Sequence, residues 1–122
     1  MKTILLIDDS KDNREDFCEI LEVSGYCVIA ADNGTSGLQK VKEMEPDLIL
    51  SDIQMAGMNG FEMKEKINEW QAKTGSRNIP FIFLTACSSI QEKQKAAELG
   101  ANAYLTKPIE INTILETIET IF

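Results

Sequence analysis

Short apolar runs alternate with longer segments of helical period along this chain, and the alternation repeats five times. The runs Thr3 to Ile7, Tyr26 to Ala30, Leu48 to Ser51, Phe81 to Thr85 and Ala103 to Leu105 are bounded by turn residues and are short, which predicts strands. Elsewhere apolar residues recur at three- and four-residue spacing: Phe17, Ile20 and Leu21; Leu38 and Val41; Met63, Ile67 and Trp70; Ile111, Ile114, Leu115 and Ile118. Spacing of that kind gathers apolar side chains on one face of a helix. Gly25 and Gly100 follow helical segments where a left-handed C-terminal residue is favoured, and Pro46 and Pro80 stand just before strands.

Runs that are apolar throughout, such as Ile4-Leu5-Leu6-Ile7 and Phe81-Ile82-Phe83-Leu84, imply burial on both faces of a strand. That is the mark of a parallel sheet held between helical layers. No linker rich in Pro, Gly or Ser separates any two units, so residues 1–122 are expected to form one α/β domain. A chain of this length buries roughly two-thirds of the surface it exposes when unfolded, enough for a core. In open sheets of this kind ligands bind beyond the carboxyl ends of the strands.

Charge and composition narrow the function. The net charge of −8, from 20 acidic and 12 basic residues, offers no basic stripe to nucleic acid. No apolar stretch approaches the ~20 residues that span a bilayer. The start, MKTILLIDD, meets two aspartates too early for a signal peptide, so the cytoplasm is expected. The chain has no histidine, which removes His-dependent hydrolysis and ordinary zinc sites from this chain alone. Cys18, Cys27 and Cys87 lack metal-ligand spacing and read as reduced thiols.

The polar residues at the carboxyl ends of the predicted strands form a set: Asp8 and Asp9 after the first, Asp52 after the third, Thr85 ending the fourth and Lys107 after the fifth. Each alone has an ordinary structural reading. Asp8 or Asp9 could cap a helix, Asp52 could begin a turn, and Lys107 could be solvated surface. Together they are different, because three carboxylates at one edge repel one another unless a cation sits among them. Oxygen-only ligands point to a hard ion, Mg²⁺. With an ammonium nearby, the arrangement is suited to accepting a phosphoryl group: cations and the Thr85 hydroxyl bind its oxygens, and one carboxylate attacks.

These motifs carry a resemblance. From ILLIDDS (residues 4–10) through LILSDIQMAGMNG and FIFLTA to AYLTKP, the chain resembles the receiver domain of two-component response regulators, of the stand-alone kind similar to chemotaxis regulators. The resemblance implies a flavodoxin-like, doubly wound fold with five parallel strands in the order 2-1-3-4-5. It implies a signalling protein that catalyses its own phosphorylation and dephosphorylation and is not otherwise an enzyme. The phosphoryl group would come from a histidine kinase or phosphotransfer protein, and output would go to a downstream protein from a monomer or weak dimer.

Carried over by position, the resemblance makes Asp52 the phosphoacceptor, and Asp9 and Asp52 direct ligands of Mg²⁺. Asp8 would act on the metal largely through water, and the Gln54 backbone carbonyl would complete the protein ligands. Thr85 and Lys107 would bind phosphoryl oxygens. Tyr104 would be the aromatic whose rotamer follows phosphorylation, making Thr85 and Tyr104 the switch. Lys107-Pro108 would carry the cis peptide of the family. Gln54 and Cys87 occupy positions that tune the lifetime of the phosphoryl group. The family often has proline where this chain has Ala56, so the loop through Gly57 should be less pre-ordered.

Two alternatives share parts of this pattern. A haloacid-dehalogenase-type phosphatase also uses a strand-end Asp, a Thr or Ser, a Lys and Mg²⁺, but needs an acid/base carboxylate two residues after the nucleophile, where this chain has Gln54. A pseudoreceiver would bind partners without phosphorylation, and the full acidic set argues against it. The segment Ser88 to Leu99 carries few large apolar residues and is expected to pack weakly on the sheet.

Overall fold

The structure, a computed structural model, describes residues 1–87 and 89–122. Strands and helices alternate: β1 (Thr3–Ile7), α1 (Lys11–Val23), β2 (Cys27–Ala31), α2 (Gly34–Met44), β3 (Leu48–Asp52), α3 (Gly60–Thr74), β4 (Phe81–Thr85), α4 (Ile90–Glu98), β5 (Ala103–Thr106) and α5 (Ile111–Ile121). The strands form one parallel sheet in the order β2-β1-β3-β4-β5, as the resemblance implied.

The strand sequences explain the two layers. Alternate side chains leave a strand on opposite faces. Ile4, Leu6, Leu48, Leu50, Ile82 and Leu84 pack with Leu21 of α1 and with Ile114 and Ile118 of α5. Leu5, Ile7, Ile49, Phe81 and Phe83 pack on the other face with Val41 of α2, Met63 and Ile67 of α3 and Ala96 of α4. Every residue of β3 and β4 is buried, which places the ends of those strands on the most rigid part of the molecule.

Strand ends differ from the apolar runs by a residue or two. Tyr26 still belongs to the close of α1, its amide donating to the Leu21 carbonyl at 3.1 Å, so β2 runs from Cys27 to Ala31. β3 continues through Asp52, which pairs with Leu84, and β5 through Thr106, which pairs with Thr85. Helix starts are capped by Ser10, Asn33, Asn59 and Ser89, with a full capping box between Asn59 and Glu62. Gly25 and Gly100 take the left-handed conformation expected of them, φ +99° and +86°.

The fourth helix is as lightly held as its composition suggested, burying only Ala96 fully; of the segment Ser88 to Leu99, Ser88 lies outside the described residues. α5 buries Ile114 and Ile118, while Ile111 and Phe122 remain exposed. Among the described residues, no helix is long and apolar enough to cross a membrane.

Candidate functional site

β1, β3, β4 and β5 are parallel and in register, so their carboxyl ends meet along one edge. Asp8, one residue beyond β1, is 1% exposed; its amide donates to the Ala31 carbonyl and its Oδ1 accepts from the Ser10 amide at 2.9 Å. Asp9 is exposed, on the solvent side of the same edge. Asp52 closes β3, with Oδ1 accepting from the Ile53 amide at 2.9 Å. One carboxylate oxygen from each of Asp8, Asp9 and Asp52 lies within 4.8 Å of the others.

Lys107 reaches this cluster from the far side. Its Nζ is 3.1 Å from Asp52 Oδ2 and 3.4 Å from Asp8 Oδ2. Its amide donates to the Thr85 carbonyl at 2.6 Å, which ties the end of β5 to the end of β4, and the Lys107-Pro108 peptide is cis as expected. Burial works against the charged form of Lys107, but Asp52 and Asp8 outweigh it and hold the ammonium above its ordinary range. Burial raises the Asp52 carboxyl, and Lys107 offsets this only in part while Asp8 adds to it. The aspartate at the strand end is thus a carboxylate whose charge is costly, sitting beside a fixed ammonium.

Close packing holds the loop that follows. α3 begins at Gly60 directly against the end of β3, its amide donating to the Ile53 carbonyl at 2.9 Å. A Cβ on Gly60 would overlap the Asp52 carbonyl oxygen and stand 3.0 Å from Ile53 Cα, so only glycine fits. Within the loop Gly57 adopts φ +75°, so a left-handed turn lies next to Ala56. Gln54 is exposed and shares a shallow hollow with Asp9, Met55, Asn59, Phe61 and Glu92.

Thr85 closes β4 fully buried, and its Oγ1 accepts from the Cys87 amide at 3.1 Å. Tyr104 on β5 donates its hydroxyl to the Cys87 carbonyl at 2.6 Å and to Glu92 Oε2 of α4 at 3.1 Å. Burial and the Glu92 carboxylate push the phenol up to about 12. The peptide units flanking Cys87 therefore link the Thr85 hydroxyl to the tyrosine.

Two participants escape a reading by spacing. Arg14 of α1 donates from Nη1 to the Asp8 backbone carbonyl at 2.8 Å, and Glu92 receives the Tyr104 hydroxyl. Arg14 lies one turn into the helix after the double aspartate, the only signal that marks it.

The donor set fits a small hard cation, since three carboxylates within 4.8 Å repel one another and Lys107 supplies only one positive charge. A doubly wound sheet in this order, with an acidic cluster, a threonine and a lysine along its carboxyl edge, defines the architecture of a receiver. Comparison with known proteins agrees: the response regulator receiver domain profile matches residues 4–119. The chain is 35% identical over 121 residues to protein PilH of Pseudomonas aeruginosa, covering 99% of this chain and 98% of that protein. It is 32% identical over 120 residues to the polar-differentiation response regulator DivK of Brucella anthropi, covering 98% and 94%. The structure of the Vibrio cholerae chemotaxis protein CheY4 superposes with a TM-score of 0.90 at 30% identity, covering 100% of this chain and 99% of that one. The chain belongs to the response regulator receiver family, the signalling domains of two-component systems.

Proposed function

We propose that this chain receives a phosphoryl group on Asp52 from a phosphohistidine of a partner kinase or phosphotransfer protein, with Mg²⁺ bound by Asp8, Asp9, Asp52 and the Gln54 carbonyl, in the cytoplasm. The observation that carries the reading is the Lys107 ammonium shared between Asp52 at 3.1 Å and Asp8 at 3.4 Å, within a cluster of three carboxylates. Mg²⁺, when bound, would neutralise charge on the phosphoryl oxygens.

In the transfer an oxygen of Asp52 forms a bond to phosphorus as the phosphorus–nitrogen bond of the phosphohistidine breaks. The electron pair leaves with the imidazole. Lys107 stabilises the oxygens of the phosphoryl group, and the Thr85 hydroxyl turns toward them. Dephosphorylation is attack by water on the same phosphorus, which returns the Asp52 carboxylate. The chain supplies rigidity and charge for both reactions, and its output is a changed surface for a downstream protein.

The route to that surface begins at Thr85. When its Oγ1 turns to a phosphoryl oxygen, the Cys87 amide loses its acceptor, and the Cys87 carbonyl that holds Tyr104 shifts with it. Thr85 and Tyr104 are then the switch, acting on the lightly packed α4. Incubation with Mg²⁺ and acetyl phosphate should add one phosphoryl mass, and Asp52→Asn should abolish it. Unchanged labelling of that variant would overturn the assignment.

A further inference from the structure

At the opposite end of the sheet from Asp52, a cavity of about 550 Å³ lies among the later turns of α3, the start of β4 and the close of α4. Its size is that of a small-molecule site. Lys64 lines it, and this lysine is 5% exposed, unusual for an ammonium. Its Nζ donates to Asn68 Oδ1 at 2.9 Å and stands 5.4 Å from the centre of the Phe81 ring. Among the described residues it has no carboxylate within ion-pair distance.

The rest of the lining is rich in amide groups and nearly uncharged. Asn68 Nδ2 donates to the Leu99 carbonyl at 3.0 Å, and Gln71 Nε2 to the Arg77 carbonyl at 3.0 Å, so these side chains are fixed. Asn102 Oδ1 accepts from the Phe81 amide at 3.0 Å, which aligns its carbonyl to the protein and leaves its NH₂ for another acceptor. Ile79, Pro80 and Leu99 supply apolar wall. Among the described residues Glu98 is the one acidic residue of the lining, and it is exposed.

A buried ammonium whose neighbours are one neutral acceptor and one aromatic face, with no carboxylate, is under-compensated in charge. Burial accordingly lowers the Lys64 pKa. We infer that this cavity binds a small anion through a carboxylate or phosphate group, with Lys64 as the charge partner and the Asn102 amide as a second donor. The site is separate from the acidic edge, where an anion would be repelled by Asp8, Asp9 and Asp52.

Amide chemical shifts should be followed while inorganic phosphate, succinate or adenosine monophosphate is added, without Mg²⁺ and with chloride holding ionic strength constant. The three probes separate a phosphate group, a carboxylate and a phosphate with an attached body. At least one should give saturable shifts at residues 68, 99, 100 and 102, with a dissociation constant of about 1 mM or tighter. Lys64→Met, which keeps the length and packing of the stem, should weaken that binding about tenfold or more. Glu98→Gln, an exposed change that leaves the fold alone, should tighten it about twofold by removing a repelling charge. Shifts linear to about 50 mM for all three probes, shifts confined to residues 8, 9, 52 and 107, or insensitivity to Glu98→Gln would each overturn the proposal.

Discussion

Gly60→Ala tests how the fold holds Asp52, and its sign is decided by competing magnitudes. Replacing glycine by alanine in a helix favours folding by up to about 1 kcal/mol. That gain is small here, because Gly60 is the first residue of α3. Against it, the new Cβ overlaps the Asp52 carbonyl oxygen and presses on Ile53 Cα at 3.0 Å and the Asp52 carbonyl carbon at 3.2 Å. All three are backbone atoms, and β3 is buried along its whole length, so neither side yields by rotating a side chain. Overpacking of this kind costs about 1–3 kcal/mol. We expect a net loss of about 2 kcal/mol, or a fall in melting temperature of about 6–10 °C for a domain of this size.

The companion variant is Gly75→Ala. Gly75 closes α3 at φ +69° with nothing within 4 Å of a new Cβ, so its cost is conformational, about 1 kcal/mol or a little more. Both variants lose stability, but only Gly60→Ala moves the peptide that carries Asp52. Well below both melting temperatures, acetyl phosphate should label Gly75→Ala at the normal rate and Gly60→Ala about tenfold more slowly. A Gly60→Ala protein as stable as the wild type, or one labelled at the same rate as Gly75→Ala, would refute the argument.

Mg²⁺ at a hundred times its dissociation constant should stabilise the wild type by about 2.7 kcal/mol in thermal unfolding, and Asp9→Ala should lose most of that gain; equal gains would contradict the cluster. Asp47 accepts from the Thr3 amide at 2.8 Å and pairs with Arg77 at 3.2 Å, and the first of these chiefly holds its carboxyl below the ordinary range. Its folded pKa lies below its unfolded value near 3.9, so its contribution is present above that value and is lost as pH falls through the folded pKa. Asp47→Asn should therefore cost about 1 kcal/mol in urea unfolding at neutral pH and progressively less below about pH 4; a gap that does not change with pH would reject this. Glu92→Gln leaves Tyr104 hydrogen-bonded to Cys87 but removes the charged acceptor, so hydrogen exchange in residues 90–105 should rise in the unphosphorylated protein and approach that of the beryllofluoride-bound form. No change in that segment would separate Glu92 from the switch.

What could be read from the chain, and what could not, divides along a physical line. Asp8, Asp52, Thr85 and Lys107 were visible because each polar residue interrupts or follows an apolar run, and parallel strands in register must bring such ends together. The limit of each strand was less legible, because hydrogen bonding to a neighbour decides it. Asp52 belongs to β3 because Leu84 stands beside it, a fact that lies thirty-two residues along the chain.

Helical residues are harder still. Their contacts depend on the phase and tilt with which a helix settles on the sheet, and spacing alone leaves both open. Arg14 meets the Asp8 carbonyl and Glu92 meets Tyr104 for that reason; Arg14 is marked only by lying one turn after the double aspartate, and Glu92 by nothing local. Lys64 is the clearest instance. The apolar period of α3 runs through Met63 and Ile67, and Lys64, beside Met63, lies outside that period. The second turn of α3 instead carries it over Phe81, the first residue of β4. The close of the weakly held α4 lines the cavity beside Lys64, and α4 is also the element that Tyr104 grips through Glu92. A helix long and apolar enough to close that cavity would bury more surface against the sheet, and would be correspondingly harder for Thr85 and Tyr104 to move.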